Sequence, residues 1–218
     1  MTELLRFGVL GGLLGLDGTA VGQFMMSRPL VAGWLSGWAA GAPGLGITIG
    51  AILELFLLVS FPTGGARFPE GSTAAVVAVG VAVPFDGSGA VAASVAMGLV
   101  WGEVGGWSVT VQRRVNSRLV PTDVASRTES LGRAHLLAIV TDFLRGAVVS
   151  MVGVALGRAG LGVVDARWPV DPSVSTGVLY VGAAVSLGIL LHDLGGFRRR
   201  RILFVLGLAF GIVGARFL

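Results

Sequence analysis

The chain of 218 residues contains neither cysteine nor lysine. The first absence removes disulfides, thiolate nucleophiles and Cys-based metal sites. The second removes a Walker A loop, whose Lys must reach the nucleotide phosphates, and any lysine Schiff base. Only two histidines, His135 and His192, are present, too few for a metal cluster. Neither a metal nor a cofactor is expected. Charge is scarce as well: 13% of residues carry it, against about 25% in a soluble chain. A large core cannot account for the deficit, because a core still needs a polar skin.

What fills the chain instead is apolar. Hydrophobic residues make up 54% and the mean hydropathy is +0.85, which describes an all-α integral membrane protein. Glycine supplies 36 residues, suited to close helix packing in lipid and to interrupted helices. The net charge of +4 and the pI near 11.2 could suggest nucleic acid. The basic residues are all Arg and adjoin apolar spans, however, which is the pattern of membrane orientation. No nucleic-acid partner is expected. A signal peptide is not expected either, since Asp17 interrupts the would-be apolar region before any small-residue cleavage site.

A helix needs ~20 apolar residues to cross a bilayer, and runs of ~10–14 more often re-enter or lie at an interface. Full-length candidates are 44–61, 89–111, 134–157 and 173–191; shorter pieces are 7–22, 29–41, 72–84 and 202–217. The expectation is one membrane domain, 1–218, built as a multi-span helical bundle with short re-entrant hairpin segments in its N-terminal third. Within it, 1–85 is the substrate-binding, re-entrant region, 86–112 a span, 113–133 a cytoplasmic polar stretch and 134–218 the C-terminal spans. The polar stretch is either a surface-lying amphipathic helix or a flexible loop. Its arginines and the run Arg198–Arg201 are both expected in the cytoplasm by the positive-inside rule. Two spans separate them, so the two clusters agree.

Ionisable groups at membrane depth are costly and usually face a cavity or a partner. Glu54 lies in GITIGAILELFLLVSF, far from any other charge. A bond to a neighbouring helix and a place on a substrate path are the alternatives, and the second is favoured. Glu70 sits in PTGGARFPEGS, a turn composition that describes either a water-exposed loop or the tip of a re-entrant hairpin. Asp142 and Arg145 are spaced i, i+3 for a structural ion pair, with His135 two turns earlier on nearly the same face. Asp17 is read as capping a helix start. Arg28 is read as fixing geometry or neutralising a carboxylate, and Glu103 as an interfacial residue.

Taken together, GLDGTAVGQFMMSRPLVAGWLSG, GLGITIGAILELFLL and GGARFPEGSTAAVV resemble the membrane subunit IIC of mannose/sorbose-type phosphotransferase systems. The resemblance runs from Gly11 to Val77, with a weaker echo in AHLLAIVTDFLRGAVV, where His135 and Arg145 keep the family's spacing. It implies a multi-pass protein of the bacterial inner membrane that carries a hexose across it. It also implies a second membrane subunit, IID, as partner, and cytoplasmic IIB and IIA subunits that deliver the phosphoryl group. No phosphate-accepting domain fits here, so the chain is expected to be a transport component without its own catalytic residue. By position, Gln23 and the Arg28-Pro29 pair match the family's Gln and Arg-Pro motif, and Glu54 its acidic residue after the Gly-rich run. Gln23, Glu54 and Glu70 are expected to face the sugar path, with Asp17, Arg28, Pro29, Pro69, His135, Asp142 and Arg145 as supporting residues. Pro69-Glu70 stands where the family usually has Pro-Asp. Two further departures are Ala42, in place of an Asp, and Pro62, where mannose transporters tend to have Asn. They sustain a second reading, a IIC-like regulatory or sensor subunit that phosphorylates no sugar.

Overall fold

The structure is a computed structural model that describes residues 2–58, 60, 66–119, 128–165 and 172–214. Among them the chain forms α1 (Thr2–Thr19), α2 (Pro29–Ala39), α3 (Pro43–Phe56), α4 (Gly71–Ala82), α5 (Ser88–Leu119), α6 (Thr128–Asp165), α7 (Pro172–Asp193) and α8 (Gly196–Gly214). Among the described residues, three stretches are long and apolar enough to cross a membrane: Ser88–Arg118, Leu131–Val163 and Ser175–Asp193. Leucines, valines and aromatics stand exposed along them, among them Val100, Trp107, Leu144, Val148 and Tyr180. In water so much apolar surface would mark an interaction face; here it is the surface that lipid covers.

The N-terminal third is built from short helices, and one boundary differs from the sequence expectation. The run 44–61 looked long enough to span, but α3 ends at Phe56. At 1.5 Å per residue, α3 and α4 reach only about 21 and 18 Å, short of a ~30 Å hydrocarbon core. Proline and glycine at 62–64 are breakers by composition; Pro62 itself lies outside the described residues. The polar stretch differs too. Helix α5 runs on to Leu119 and α6 begins at Thr128, so most of 113–133 prolongs two spans. Neither the surface-lying helix nor the loop describes it, and residues 120–127 lie outside the described set. Arg, Gln and Val sustain a helix at modest cost until Pro121 arrives.

Helix α4 is the centre of the packing. Every residue from Ser72 to Ala82 is buried, and α1, α2, α3, α5 and α6 all touch it. A helix apolar on every side has no solvent face to offer, so it must be enclosed. Its small side chains let neighbours close in. A Cβ at Gly98 of α5 would stand 2.7 Å from the Ala74 carbonyl oxygen.

Helices α2 and α3 form a tight hairpin. Each starts with proline at its first turn, where the missing N–H costs nothing. Gly33 and Gly37 of α2 face Gly46 and Gly50 of α3, and a Cβ at Gly33 would come within 2.6 Å of the Gly46 carbonyl oxygen. Ala42 caps α3 without a side-chain bond. An Asp there would supply the missing acceptor, worth about 1 kcal/mol. The hairpin thus depends more on glycine contact than on capping.

Helix α1 runs antiparallel to α6. Gly8, Gly11, Gly12 and Gly15 meet Met151, Ser150, Phe143 and Gly146 in turn. Polar clasps close both ends of the pair: Glu3 with Arg158 at 2.7 Å, and Thr19 with Asp142. Arg158 also donates to the Gly80 carbonyl oxygen at 2.7 Å, satisfying one of the orphan acceptors at the end of α4.

Candidate functional site

The N-terminal end of α4 carries the strongest electrostatic arrangement among the described residues. Arg145 grips Glu70 with two parallel bonds, Nη2 to Oε1 at 2.8 Å and Nη1 to Oε2 at 3.0 Å. Its Nε donates to Asp142 Oδ1 at 2.7 Å, and Nη1 also donates to Ser108 Oγ at 2.9 Å. Four of the five guanidinium donors are thereby used. Thr73 Oγ1 donates to Glu70 Oε2 at 2.6 Å, and Thr19 donates to Asp142. The side chains are 8% exposed for Arg145, 7% for Glu70 and 4% for Asp142. Two buried carboxylates share one buried guanidinium, and hydroxyls on α1, α4 and α5 complete the shell.

Local sequence explains the placement. The segment before α4 is clipped onto α5 at three points. Glu70 N–H donates to the Gly102 carbonyl oxygen at 2.8 Å, Arg67 pairs with Glu103 at 3.1 Å, and Arg113 stacks over Phe68 at 5.8 Å. Gly105 and Gly106 make room: a Cβ at Gly105 would stand 2.7 Å from Glu70 Oε2, and one at Gly106 would overlap the Phe68 carbonyl.

A second pair lies across the α2–α3 hairpin. Glu54 accepts from Arg28 and, through Oε2, from the Leu30 N–H at 3.2 Å, so it sits at the positive start of α2. The connecting loop is held by Asp17, whose two carboxylate oxygens accept from the Phe24 and Ser27 N–H groups at 2.7 and 2.9 Å. That loop contains Gln23 at φ +55° and Met25 at φ +64°, left-handed conformations uncommon for residues with a side chain.

Both acidic centres open on one hollow of about 130 Å³. The starts of α2 and α4 form its walls through Arg28, Pro29, Gly71 and Ser72, and Glu54, Glu70, Thr19 and Ser27 add polar groups. The first amides of α4 have no carbonyl within their own helix to bond, so this end of α4 presents donors beside the two carboxylates. A carboxylate offers about four acceptor sites. Glu70 has three occupied, Glu54 two.

The structure brings Glu54, Glu70, Arg28, Pro29 and Pro69 to the hollow, with Asp142 and Arg145 directly behind Glu70. It leaves two of the sequence candidates aside. Gln23 is exposed on the loop and lines no part of the hollow, and His135 is exposed near the start of α6. Asp17 corrects the capping reading: it stands in the last turn of α1 and organises the loop that follows, not a helix start. Of the two readings of the Glu70 turn, the water-exposed loop does not hold, since Glu70 is 5% exposed. Glu103 is exposed and paired with Arg67. Sequence reasoning missed Thr19, Thr73 and Ser108. Only Thr73 left a signal, three residues after Glu70 at the head of an apolar run.

Comparison with known proteins gives three findings. The family model described as "PTS system sorbose-specific iic component" matches residues 1–193. No curated protein matches. A solved structure titled "Structure of membrane protein" superposes with a TM-score of 0.75, covering 100% of this chain and 93% of that one. At 18% identity that likeness concerns the fold alone. The matched residues contain every polar group described above, and the chain belongs to the family of sorbose-specific IIC membrane components of phosphotransferase systems.

Proposed function

We propose that this IIC component carries a mannose-type hexose across the bacterial inner membrane, and that the hollow between Glu54 and Glu70 holds the sugar. The observation that carries the reading is the meeting of two carboxylates with the start of a buried helix in one hollow. A pyranose offers hydroxyls that both donate and accept, and carboxylates, hydroxyls and amides answer them. At about 130 Å³ the hollow lies below the ~300–1,000 Å³ of drug-sized pockets, which suits one sugar ring. Glu54, with two acceptor sites open, is the principal acceptor. Glu70 contributes its remaining site in an orientation fixed by Arg145, with Pro69 and Pro29 shaping the wall. Gln23 meets the sugar outside the hollow, on its way in.

The chemistry of phosphorylation belongs to partners. The longest polar stretch, Thr110–Arg133, is too short to be a phosphate-carrying domain. A IIB subunit, charged by IIA, supplies the phosphoryl group, while IIC with IID holds the hydroxyl in place. Residues 1–85 are the substrate-binding part, and the ends of α5 and α6 together with Arg198–Arg201 face the cytoplasm.

The test is uptake and phosphorylation with the neighbouring IID, IIB and IIA subunits co-expressed. Glu54→Gln keeps the acceptor for Leu30 and removes the charge. Loss of a charged hydrogen bond weakens sugar affinity roughly ten- to hundredfold, with membrane insertion unchanged. Full uptake by that variant removes Glu54 from the site. Sugar binding without any sugar phosphate would favour the regulatory reading, to which the departures at Ala42 and Pro62 already point.

A further inference from the structure

Residues 20–28 join α1 to α2 in a loop whose two ends nearly meet. A Cβ at Gly18 would stand 3.4 Å from Ser27 Cβ. Surface loops closed at the base in this way are frequently functional. Both ends belong to the hollow: Gly18 and Thr19 line it on the α1 side, Ser27 and Arg28 on the α2 side. The apex lines none of it. Phe24 and Met25 are 76% and 73% exposed, and Val21 and Met26 beside them are exposed as well.

The apex is also held against its backbone preference. Gln23 and Met25, at φ +55° and +64°, adopt conformations that persist only where the surroundings impose them, and such residues gather at ligand clamps and switches. The side chain that imposes this one is Asp17, buried, through the Phe24 and Ser27 N–H groups. The Phe24 ring rests on the bare backbone of Gly22, where a Cβ would stand 2.9 Å from it, and Gly22 itself has φ +96°. A glycine joint, a carboxylate tether and an exposed apolar tip describe a strap able to swing about its base.

We propose that the 20–26 segment is a lid that closes on the sugar, laying the Phe24 ring against the apolar face of the pyranose and bringing Gln23 from the entrance to a hydroxyl. This rests on the sugar reading of the hollow. Glu54, Glu70, Thr19 and Ser27 answer hydroxyls. The C–H face of a pyranose instead suits an aromatic ring, whose negative face meets the polarised C–H groups. The ring that the wall itself supplies, Phe68, faces Arg113 at 5.8 Å. Small-molecule sites bury most of the ligand's surface, and this hollow is not enclosed. Closure covers it, takes Phe24 and Met25 out of water and releases the left-handed backbone.

The chain lacks cysteine, so Met25→Cys creates its single thiol at the apex. Maleimide labelling of that variant is read on this chain by mass, in lipid nanodiscs with the IID subunit co-expressed. Mannose is the probe, mannitol the osmolyte control, and bound mannose is measured on the same sample. Bound mannose should slow labelling about tenfold, as for a lid left open about a tenth of the time. Ser117→Cys, exposed on α5, should label at one rate throughout. Hydrogen exchange of residues 20–26, which needs no substitution, should slow with mannose as well. Phe24→Ala should weaken mannose binding about five- to tenfold, and Phe24→Tyr, which keeps the ring, should restore it. Bound mannose with labelling and exchange both unchanged overturns the lid and leaves the hollow as the sugar site. Slow labelling before any sugar is added also overturns it, with lipid or the sister subunit covering the apex. An unaltered chain that binds no mannose removes the sugar reading, and the lid with it.

Discussion

Replacing Arg145 with Met should be the most damaging single change near the hollow. The substitution keeps an unbranched chain of similar length but removes four hydrogen bonds, two to Glu70 and one each to Asp142 and Ser108. Two carboxylates, each under a tenth exposed, then face one another without a cation. Removing one partner of a buried pair costs about 3–5 kcal/mol. For a chain of this size that corresponds to a fall of about 6–20 °C in the melting temperature, readable by fluorescence-detected size exclusion after heating in mild detergent. The cause is stranded charge, not lost volume. The triple variant Arg145→Met, Glu70→Gln, Asp142→Asn should therefore recover most of the loss, because a buried ionic group replaced as a whole is close to neutral. A single variant as stable as the parent, or a triple variant no better than the single one, would refute the reasoning.

Three further outcomes follow from the geometry. A Cβ at Gly46 would overlap the Gly33 carbonyl, so Gly46→Val should overpack the α2–α3 hairpin at a cost of about 1–3 kcal/mol, seen as a lower melting temperature. Asp17→Ala leaves the Phe24 and Ser27 amides without their acceptor; hydrogen exchange there should quicken and proteases should cut between α1 and α2, while α6 amides stay protected. A reporter fused after Arg201 should signal cytoplasm; an external signal would invert the proposed topology.

The parts of this site that could be read from the sequence are the local ones. Glu54 stood out because no other charge lies near it in an apolar run, and Asp142–Arg145 because i, i+3 spacing is visible in one dimension. What spacing cannot show is that Arg145 reaches Glu70, 75 positions away, or that Arg28 finds Glu54, 26 positions away. The prolines and glycines around Glu70 specify a turn, and a turn in water and a turn buried against α5 have the same composition. Only the small-residue pair Gly105–Gly106 distinguishes them, and glycine is too common here to signal it. The all-α membrane architecture was legible from charge content alone. Helix lengths were less so, since arginine-bearing turns prolong α5 and α6 past the apolar windows, whereas α3 stops before its window ends.

The late partner of Glu70 has a consequence for how the protein is made. Translation at about 5–20 residues per second puts about 4–15 s between the synthesis of Glu70 and that of Arg145, 75 residues later. Throughout that interval α4 carries a carboxyl group with no guanidinium to meet it, and α1 has a threonine still waiting for Asp142. The N-terminal segments must therefore dwell at the insertion machinery, or at the water boundary, until α6 emerges. Closure of the charged centre behind the hollow thus waits for α6, and ribosome-bound chains that stop short of Arg145 should leave the α4 segment open to aqueous labelling reagents.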